Sequence, residues 1–166
     1  MTLVGIGYDC HRLVAGRALV LGGVEIEHDR GLEGHSDADV LSHAVTDALL
    51  GAAGMGDIGQ HFPDTDERWR GADSIELLRA VVGLLAERQL APANVDCTVI
   101  IEAPAISPHR ERIRLRLADA LGLESGRVNV KATTSEGMGF VGAREGAAAL
   151  AVATVAPTPG AGGAGR

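Results

Sequence analysis

Two short segments carry side chains that could bind a metal ion or transfer a proton. In "YDCHR", Asp9 and His11 are two residues apart, so on a strand both side chains project from the same face. In "GHSDADVLSH", His43 follows several polar residues at the start of a helix-like pattern. If His43 converges on Asp9 and His11, two nitrogens and one oxygen form a zinc site with three protein ligands and one open position. An open position indicates a catalytic metal rather than a structural one.

The second segment also has an ordinary structural explanation. Ser36, Asp37 and Asp39 precede the helical pattern, where capping side chains and first-turn carboxylates stabilise a helix N-terminus. Capping does not explain His43, which lies four residues after Asp39 on the same helical face. A single histidine on a helix is nevertheless more often a core or surface residue than a ligand. Spacing alone leaves both interpretations open.

The segment "GMGDIGQHFPDTD" has the composition of a loop, with polar side chains among glycines and a proline. Its acceptor side chains are those of Asp57, His61, Asp64 and Asp66. In one interpretation these carboxylates only stabilise turns. In the other, the segment is a ligand-binding loop whose carboxylates accept hydrogen bonds from sugar hydroxyls and whose backbone amides face a phosphate.

Hydroxyl groups and a carboxylate occur together at the end of a strand predicted over 127–135. They belong to Thr133, Thr134, Ser135 and Glu136. Strand ends rich in threonine are common without function, but hydroxyl donors beside an acid suit the binding of phosphate together with Mg²⁺.

The hydrophobic pattern predicts the elements that position these groups. An N-terminal strand covers "TLVGIGYDCHRL", and a hairpin turning at Gly22 and Gly23 follows it. Helical spacing predicts helices over 39–53 and 74–88, and a third helix in "PAISPHRERIRLRLADALGL" that ends near Gly122. Strands are predicted in "NVDCTVIIEA" and over 127–135, whereas "GAAALAVATVA" fits a strand or a helix. We expect one domain over 1–156 and a disordered tail over 157–166.

Composition argues against several classes of function. The 166 residues include 15 Lys and Arg against 22 Asp and Glu, which gives a formal net charge of −7. This negative charge gives the chain no basic field with which to attract nucleic acid. Its one Trp, one Tyr and two Phe also provide few aromatic platforms on which bases could stack. No apolar run is long enough to span a membrane, and the first residues do not resemble a signal peptide. We therefore expect a cytoplasmic protein that binds neither nucleic acid nor membranes, with Cys10 and Cys97 as free thiols.

Three long motifs occur in a fixed order along the chain: "YDCHRL", "GHSDADVLSHAVTDALLGAAGMGDIGQHFPDTD" and "NVKATTSEGMGF". Together they resemble the 2-C-methyl-D-erythritol 2,4-cyclodiphosphate synthase family, over residues from Val4 to about Val155. The resemblance implies an α+β subunit with a mixed β-sheet and helices packed on one face. It also implies a homotrimer with the sheets around a threefold axis and active sites between subunits. The Ala/Val-rich "EGAAALAVATVA" would then be buried against symmetry mates.

The resemblance further implies two metals and a nucleotide substrate. Asp9, His11 and His43 would hold Zn²⁺ or another divalent cation, and Glu136 would hold Mg²⁺ or Mn²⁺ on the substrate diphosphate. The substrate would be a cytidine diphosphate ester of methylerythritol 2-phosphate, whose 2-phosphate attacks the β-phosphorus and expels CMP. Such a reaction needs orientation and charge neutralisation more than a protein nucleophile. The cations would also let an acidic chain bind a polyanion.

The matched motif positions imply roles for individual residues. His35 and Thr134 would act near the transition-state phosphate and are the implied catalytic residues. Residues 101–107 would form the cytosine pocket. The implied substrate-binding residues are Asp9, His11, His35, Ser36, Asp57, Gly59, Phe62, Asp64, Asp66, Ala103, Pro104, Ala105, Ile106, Ser107, Thr133, Thr134, Glu136, Phe140 and Arg144.

The chain departs from the family pattern at three positions. Ile6 stands where many relatives have a histidine, which removes no zinc ligand. Ala105 stands where a lysine is common, so one cation that could face the nucleotide is missing. In "GAREG" the arginine is shifted by one position to Arg144, which weakens its assignment as a phosphate ligand.

Two other classes of function fit the same residues. A metal-dependent phosphoesterase could use Asp9, His11 and His43 to activate water. Hydrolysis would incorporate solvent oxygen into the product, whereas cyclisation would not. A non-catalytic metal-binding scaffold is the second alternative, and it is favoured if the three ligands do not converge.

Overall fold

This computed structural model describes residues 1–158, which form seven strands, five α-helices and three short 3-10 turns. The strands are β1 (Leu3–Ala15), β2 (Leu19–Leu21), β3 (Val24–Ile26), β4 (Arg30–Leu32), β5 (Leu90–Ile100), β6 (Val128–Thr133) and β7 (Gly146–Pro157). The α-helices are α1 (Val40–Ala52), α2 (Ile58–His61), α3 (Ser74–Glu87), α4 (Arg110–Leu121) and α5 (Gly139–Gly142). Short 3-10 turns cover Glu67–Trp69, Ser107–His109 and Ser125–Arg127.

Five strands form one mixed sheet in the order β4-β1-β7-β5-β6. β1 pairs antiparallel with β4 and β7, and β5 pairs antiparallel with β7 but parallel with β6. β2 and β3 form a separate hairpin, and Gly22 and Gly23 at its turn both have positive φ angles. That turn is where the sequence predicts it, because glycine adopts positive φ without a steric cost. The predicted mixed sheet of an α+β fold is confirmed.

The ambiguous alanine-rich stretch is the strand β7, which lies in the middle of the sheet and is hydrogen-bonded on both edges. Its side chains alternate between two faces. The alanines at positions 147, 149, 151 and 153 are buried inside the subunit, whereas Leu150 and Val152 are 40% and 43% exposed. The expectation that the whole stretch packs against symmetry mates is therefore wrong for the inward alanines, because period-two alternation points them into the subunit's own core.

The three long helices cover one face of the sheet, as predicted. α1 packs on β1, β5 and β7, α3 packs on α1, and α4 packs on α3 and β6. Aliphatic side chains such as Leu41, Leu49 and Leu78 fill the space between the helices and the sheet. The opposite face keeps apolar residues exposed, including Ile6 at 71% and Tyr8 at 52%. This exposed sheet face consists of Val4, Ile6, Tyr8, Leu150 and Val152.

The predicted helices agree closely with α1 and α3, and the third ends at Gly122, which has the left-handed conformation typical of a helix C-terminus. That helix begins later than its segment because a 3-10 turn containing Pro108 precedes it. Three short elements were not predicted: β4, α2 and α5. No helix within residues 1–158 is long and apolar enough to cross a membrane.

The predicted disordered tail over 157–166 lies outside the described residues, except at its start. Pro157 is the last residue of β7 and pairs with Leu90. The Thr158 amide donates a hydrogen bond to the Gln89 carbonyl at 2.9 Å. The first two residues of the predicted tail, Pro157 and Thr158, are therefore paired with Leu90 and Gln89.

Candidate active site

Asp9, His11 and His43 meet in space, which spacing alone could not establish. His11 Nε2 and His43 Nδ1 lie 2.9 and 3.0 Å from Asp9 Oδ2, and the two ring nitrogens lie 3.3 Å apart. Tetrahedral zinc ligands with bonds of about 2.0–2.2 Å are separated by about 3.3–3.6 Å. The triangle is slightly tighter than a bound ion requires, so a small outward movement of the ligands would admit a divalent cation. We call these three residues the metal cluster.

Two elements bring the cluster together. Asp9 and His11 occupy alternate positions of β1 and face α1, and His43 lies in the first turn of α1. The buried Asp39 begins this helix, because its carboxylate accepts hydrogen bonds from the amides of Leu41 and Ser42. The same carboxylate accepts hydrogen bonds from the amides of Gly22 and Gly23 at 2.8 and 2.7 Å. The β2–β3 turn is thereby attached to the helix start.

Each imidazole of the cluster has a second partner on the ring nitrogen that points away from the triangle. His11 Nδ1 lies 2.8 Å from the Glu33 carbonyl oxygen, which can only accept, so this nitrogen carries a proton and Nε2 faces the cluster. His43 Nε2 lies 2.8 Å from Ser74 Oγ and 3.2 Å from Ser36 Oγ. Both rings are therefore oriented before any cation binds.

Protonation of the cluster is strongly perturbed. Burial raises the pKa of Asp9, but hydrogen bonds from His11 and His43 outweigh burial and lower this pKa to about 2. Burial lowers the pKa of His11, but its hydrogen bond to Asp9 and the Asp9 charge outweigh that effect, so the pKa is raised overall. At neutral pH the cluster therefore combines an ionised Asp9 carboxylate with a His11 imidazole whose affinity for a proton is raised.

The metal cluster opens onto a cavity of about 440 Å³. Its walls comprise Asp9, His11, Gly34, His35, Ser36, His43, Ile58, Gly59, Phe62, Pro63, Asp64 and Trp69. Five predicted substrate-binding residues from the two loops join the cluster here: His35, Ser36, Gly59, Phe62 and Asp64. Sequence reasoning missed Ile58 and Trp69. The Trp69 ring packs edge-on against Phe62 with centroids 5.0 Å apart. The fact that Trp69 is the single Trp of the chain was the one feature of the sequence that could have drawn attention to it.

Two predicted loop carboxylates act as caps in this structure. Asp57 begins α2 and accepts a hydrogen bond from the Gln60 amide at 3.0 Å. Asp66 accepts hydrogen bonds from the side chain and amide of Arg68, and its carbonyl oxygen lies 3.0 Å from His35 Nε2. The bonds from Arg68 lower the pKa of the partly exposed Asp66 carboxyl. Asp66 therefore contacts a predicted catalytic residue through its backbone.

A second cavity, of about 360 Å³, collects most of the other predicted residues. Its walls comprise Ile101, Glu102, Pro104, Ala105, Ile106, Ser107, Arg110, Ala132, Thr133 and Thr134. The peptide bond between Ala103 and Pro104 at its mouth is cis. Ile101 and Glu102 belong to the cytosine pocket predicted over residues 101–107, whereas Arg110 was not predicted. The Glu102 carboxylate accepts hydrogen bonds from the amides of Ser135 and Gly137 at 2.7 and 3.4 Å, which ties this cavity to the loop that carries Glu136.

The remaining predicted residues lie outside the metal cluster. Glu136 has φ of +52° and accepts a hydrogen bond from Thr134 Oγ1 at 3.3 Å. Phe140 lines a third cavity with Cys10, His11 and Arg12, so it shares a cavity with one residue of the metal cluster. Arg144, with φ of +59°, is exposed, and its carbonyl oxygen accepts a hydrogen bond from Arg30. Glu136 and Arg144 line neither the cavity at the metal cluster nor the cavity that His11 shares with Phe140.

The two main cavities are separated across the sheet. Asp9 and His11 lie on β1, whereas Thr133 ends β6, and β7 and β5 lie between these strands. Three strand spacings of about 4.8 Å place the two groups about 14 Å apart laterally. The residues predicted to bind one substrate therefore form two separate half-sites within a subunit: the metal half-site around Asp9, and the second half-site around Thr133.

The chain matches the model of the YgbB family over residues 2–156. This chain belongs to the YgbB family. Among the curated relatives of this YgbB-family chain is the 2-C-methyl-D-erythritol 2,4-cyclodiphosphate synthase of Symbiobacterium thermophilum, 63% identical over 93% of the chain and 98% of the relative. The protein of the same name from Salinibacter ruber is 59% identical over 92% of the chain and 97% of its own length. The predicted family resemblance is confirmed.

Solved structures also resemble the YgbB-family chain. The bifunctional IspDF of Campylobacter jejuni matches with a TM-score of 0.90 and 41% identity, covering 93% of this chain and 42% of that one. A CDP-bound 2C-methyl-D-erythritol-2,4-cyclodiphosphate synthase matches with a TM-score of 0.85 and 38% identity, covering 92% and 99%. The CDP complex of IspF from Plasmodium falciparum matches with a TM-score of 0.83 and 31% identity, covering 95% and 97%.

Proposed function

We propose that this chain is a 2-C-methyl-D-erythritol 2,4-cyclodiphosphate synthase, a phosphorus-oxygen lyase of the non-mevalonate isoprenoid pathway. Its substrate is 4-diphosphocytidyl-2-C-methyl-D-erythritol 2-phosphate, and its products are the cyclic diphosphate and CMP. The observation that carries the proposal is the triangle of Asp9, His11 and His43 at the wall of a cavity. High identity to relatives named for this activity, over almost their full length, supports the assignment.

Two cations would serve the reaction. Asp9, His11 and His43 offer one oxygen and two nitrogens, a donor set that suits Zn²⁺ with one position open to substrate. Glu136 offers the carboxylate that Mg²⁺ or Mn²⁺ prefers on a diphosphate. Bound cations would polarise phosphoryl oxygens and neutralise the charge that accumulates as two phosphates approach one another.

The bond changes are an intramolecular substitution at phosphorus. An oxygen of the 2-phosphate bonds to the β-phosphorus, and the bond from that phosphorus to the oxygen of the α-phosphate breaks, so CMP leaves. His35 and Ser36 would bind and orient the 2-phosphate from the cavity wall, while Phe62 and Trp69 exclude water from one side. The Thr134 hydroxyl would donate to the transferring phosphoryl group. Cytosine would be bound mainly by the backbone of residues 101–107.

The lateral separation of the two half-sites supports a homotrimer in which each active site joins the metal half-site of one subunit to the second half-site of its neighbour. Within one subunit, a distance of about 14 Å exceeds what adjacent phosphates of one substrate can span. Symmetric assembly supplies the missing half from an identical surface. Oligomerisation would therefore be a requirement for activity.

CMP release by the purified protein, with the cytidine diphosphate ester as substrate, tests the reaction. Cyclisation in ¹⁸O-water yields a cyclic diphosphate without label. Label in the product would instead identify a metal-dependent phosphoesterase. Absence of CMP release from protein carrying one zinc per subunit would favour a metal-binding scaffold without this activity.

A mixing experiment tests the shared site. His43→Ala removes the metal half-site and Glu136→Gln removes the second cation ligand, so each variant alone should be inactive. In randomly assembled 1:1 mixtures, about one quarter of the sites combine two intact halves, so about one quarter of the wild-type activity should return. Mixtures of His43→Ala with His11→Ala, both defective in the same half, should stay inactive. A Glu136→Gln homotrimer with normal turnover would contradict the role of Glu136.

A further inference from the structure

His43 has a buried partner on the side that faces away from the metal cluster. Its Nδ1 points to Asp9, whereas its Nε2 lies 2.8 Å from the hydroxyl of Ser74. Ser74 is the first residue of α3 and is 1% exposed. Bulk water therefore cannot replace His43 as the partner of the Ser74 hydroxyl. The protein groups around Ser74 determine the direction of its hydroxyl proton.

Asp37 determines the proton arrangement of that hydroxyl. The Asp37 carboxylate accepts a hydrogen bond from Ser74 Oγ at Oδ1 and another from the Ser74 amide at Oδ2, the latter at 3.0 Å. Its Oδ1 also accepts a hydrogen bond from the Asp39 amide at 3.1 Å. An ionised carboxylate can only accept, so the single hydroxyl proton of Ser74 points to Asp37. The Ser74 oxygen is left as an acceptor.

The orientation of Ser74 then determines the tautomer of His43. A hydroxyl oxygen that has given its proton to Asp37 can contact Nε2 only if Nε2 carries a proton. Without a cation, Nδ1 can donate its own proton to Asp9 at 3.0 Å. When a cation displaces that proton, the proton on Nε2 remains, and Nδ1 presents its lone pair to the cation. Ser36 Oγ lies further from Nε2, at 3.2 Å, and also accepts a hydrogen bond from the Ala38 amide. Ser36 Oγ is therefore a second possible acceptor for the Nε2 proton, and Nε2 of His43 is still the donor.

We propose that Asp37 and Ser74 are positioning residues that fix His43 in the tautomer and ring orientation presenting Nδ1 to the catalytic cation. The inference rests on the proposed function only in taking the metal cluster as the binding site of that cation. His11 is held in the same way by a backbone group, because the Glu33 carbonyl oxygen accepts a hydrogen bond from His11 Nδ1 at 2.8 Å. Hydrogen bonds from His43 through Ser74 to Asp37 therefore connect the metal cluster to the start of α3.

The test measures cation affinity directly. Zinc affinity is determined by competition with a chromophoric chelator for the wild type, Ser74→Ala, Ser74→Thr and Asp37→Asn. Ser74→Ala removes the acceptor of Nε2–H and should weaken zinc binding about 10-fold or more, the usual effect of losing a hydrogen-bond partner of a ligating histidine. Ser74→Thr keeps a hydroxyl at the same position and should retain most of the affinity. Asp37→Asn should weaken zinc binding, because the new amide can donate a hydrogen bond to the Ser74 hydroxyl. The hydroxyl could then donate its own proton to His43 Nε2 instead of accepting one.

A control separates this effect from general destabilisation. Thr46 in α1 is also buried, but its hydroxyl donates to the Ser42 carbonyl and not to a ring nitrogen of the metal cluster. Thr46→Ala should lower the thermal midpoint without changing zinc affinity. The visible spectrum of the Co²⁺-loaded protein gives a second readout, because its d–d bands report ligand geometry. Those bands should change in Ser74→Ala and remain as in the wild type in Ser74→Thr and Thr46→Ala.

Each result has one meaning. Equal zinc affinities and Co²⁺ spectra for the wild type and Ser74→Ala would overturn the proposal, as would failure of Ser74→Thr to bind more tightly than Ser74→Ala. If Ser74→Ala does not fold, Asp37→Asn with wild-type affinity would overturn it equally. Wild-type protein that binds zinc but releases no CMP would contradict the proposed function and leave the positioning role to be judged by the affinities.

Discussion

Gly7 of β1 lies directly beneath Ala44 of α1, so closely that a Cβ on Gly7 would overlap the Ala44 carbonyl oxygen. Gly5 has the same relation to the Ala48 carbonyl. The backbone of α1 therefore rests on β1 at two successive inward positions. His43 immediately precedes Ala44 and Asp9 follows Gly7 by two residues, so this backbone contact sets the distance across the metal cluster.

Gly7→Ala should push α1 away from β1. The added methyl group meets backbone atoms that cannot rotate aside, and overpacking of this kind costs about 1–3 kcal/mol. We expect a lower free energy of unfolding and weaker zinc binding in the same variant. Urea denaturation and chelator competition measure the two effects. Gly83→Ala, on the exposed side of α3 with no atom within 4 Å of the added Cβ, should keep zinc affinity and gain stability from its helix propensity.

Zinc affinity should fall as the pH is lowered through the raised pKa of His11. A protonated imidazole cannot bind the cation, and the raised pKa means that a proton competes already at higher pH than for a free histidine. Asp9, with a pKa of about 2, stays ionised throughout this range. Competition titrations between pH 8 and pH 5.5 should show affinity decreasing toward acid.

The control for that titration is His28, which lies 3.2 Å from Asp29 outside the metal cluster. His28→Gln should leave the pH profile of zinc binding unchanged. A wild-type affinity that is constant between pH 8 and pH 5.5 would show that no ligand proton is displaced, and His11 would then be the wrong ligand.

Cys97 should be inert in the folded protein. Burial raises the pKa of this thiol to about 12, and the side chain is 1% exposed. In Cys10→Ser, which leaves Cys97 as the remaining thiol, iodoacetamide at pH 8 should modify the chain only after unfolding in denaturant. Mass spectrometry measures the modified fraction. Rapid modification of the native variant would show that the core around β5 opens readily.

The exposed sheet face should be the assembly surface of the proposed homotrimer. Val152→Asp places a charge on this face, where apolar side chains lie open in the subunit, and burying an unpaired charge is costly. We expect light scattering to show monomers and CMP release to be lost. Leu115→Asp, at a leucine of α4 that is 49% exposed, should remain trimeric and active. A monomeric Val152→Asp with normal CMP release would place the whole active site in one subunit.

Ala149 of the same strand would not test the assembly surface, because the register of β7 points its side chain into the subunit's own core. Ala149 is fully buried and lies opposite Asp9 in the pairing of β1 with β7. An aspartate at position 149 would disrupt the subunit's own core, so loss of assembly in that variant would carry no information about the trimer.

Local signals predicted the elements well where they were unambiguous. Asp39 and Gly54 bracket α1, and the glycine pair 22–23 marks the hairpin turn, because capping and positive φ depend on neighbouring residues alone. β7 was ambiguous because alanine occurs in both helices and strands, and only its hydrogen bonds to β1 and β5 decide between them.

The candidate site was predictable from the sequence only in part. The residue types at positions 9, 11 and 43 indicated a metal site, but their convergence depends on the packing of α1 on β1, which spacing does not encode. Ser74 gave no local signal, since it contacts His43 across 31 positions of the chain. The lateral separation of the two half-sites follows from strand order, which a pattern of strands and helices leaves open.

The position of β7 has a consequence for the order of folding. It is the last described strand to be synthesised, yet it lies in the middle of the sheet and supplies the hydrogen-bonding partner for ten residues of β1, from Leu3 to Arg12. Pairings between the two ends of a chain close slowly and delay the collapse of a sheet. On the ribosome, the edges of β1 and β5 that pair with β7 stay unpaired until β7 has emerged, so the nascent chain is open to aggregation until then.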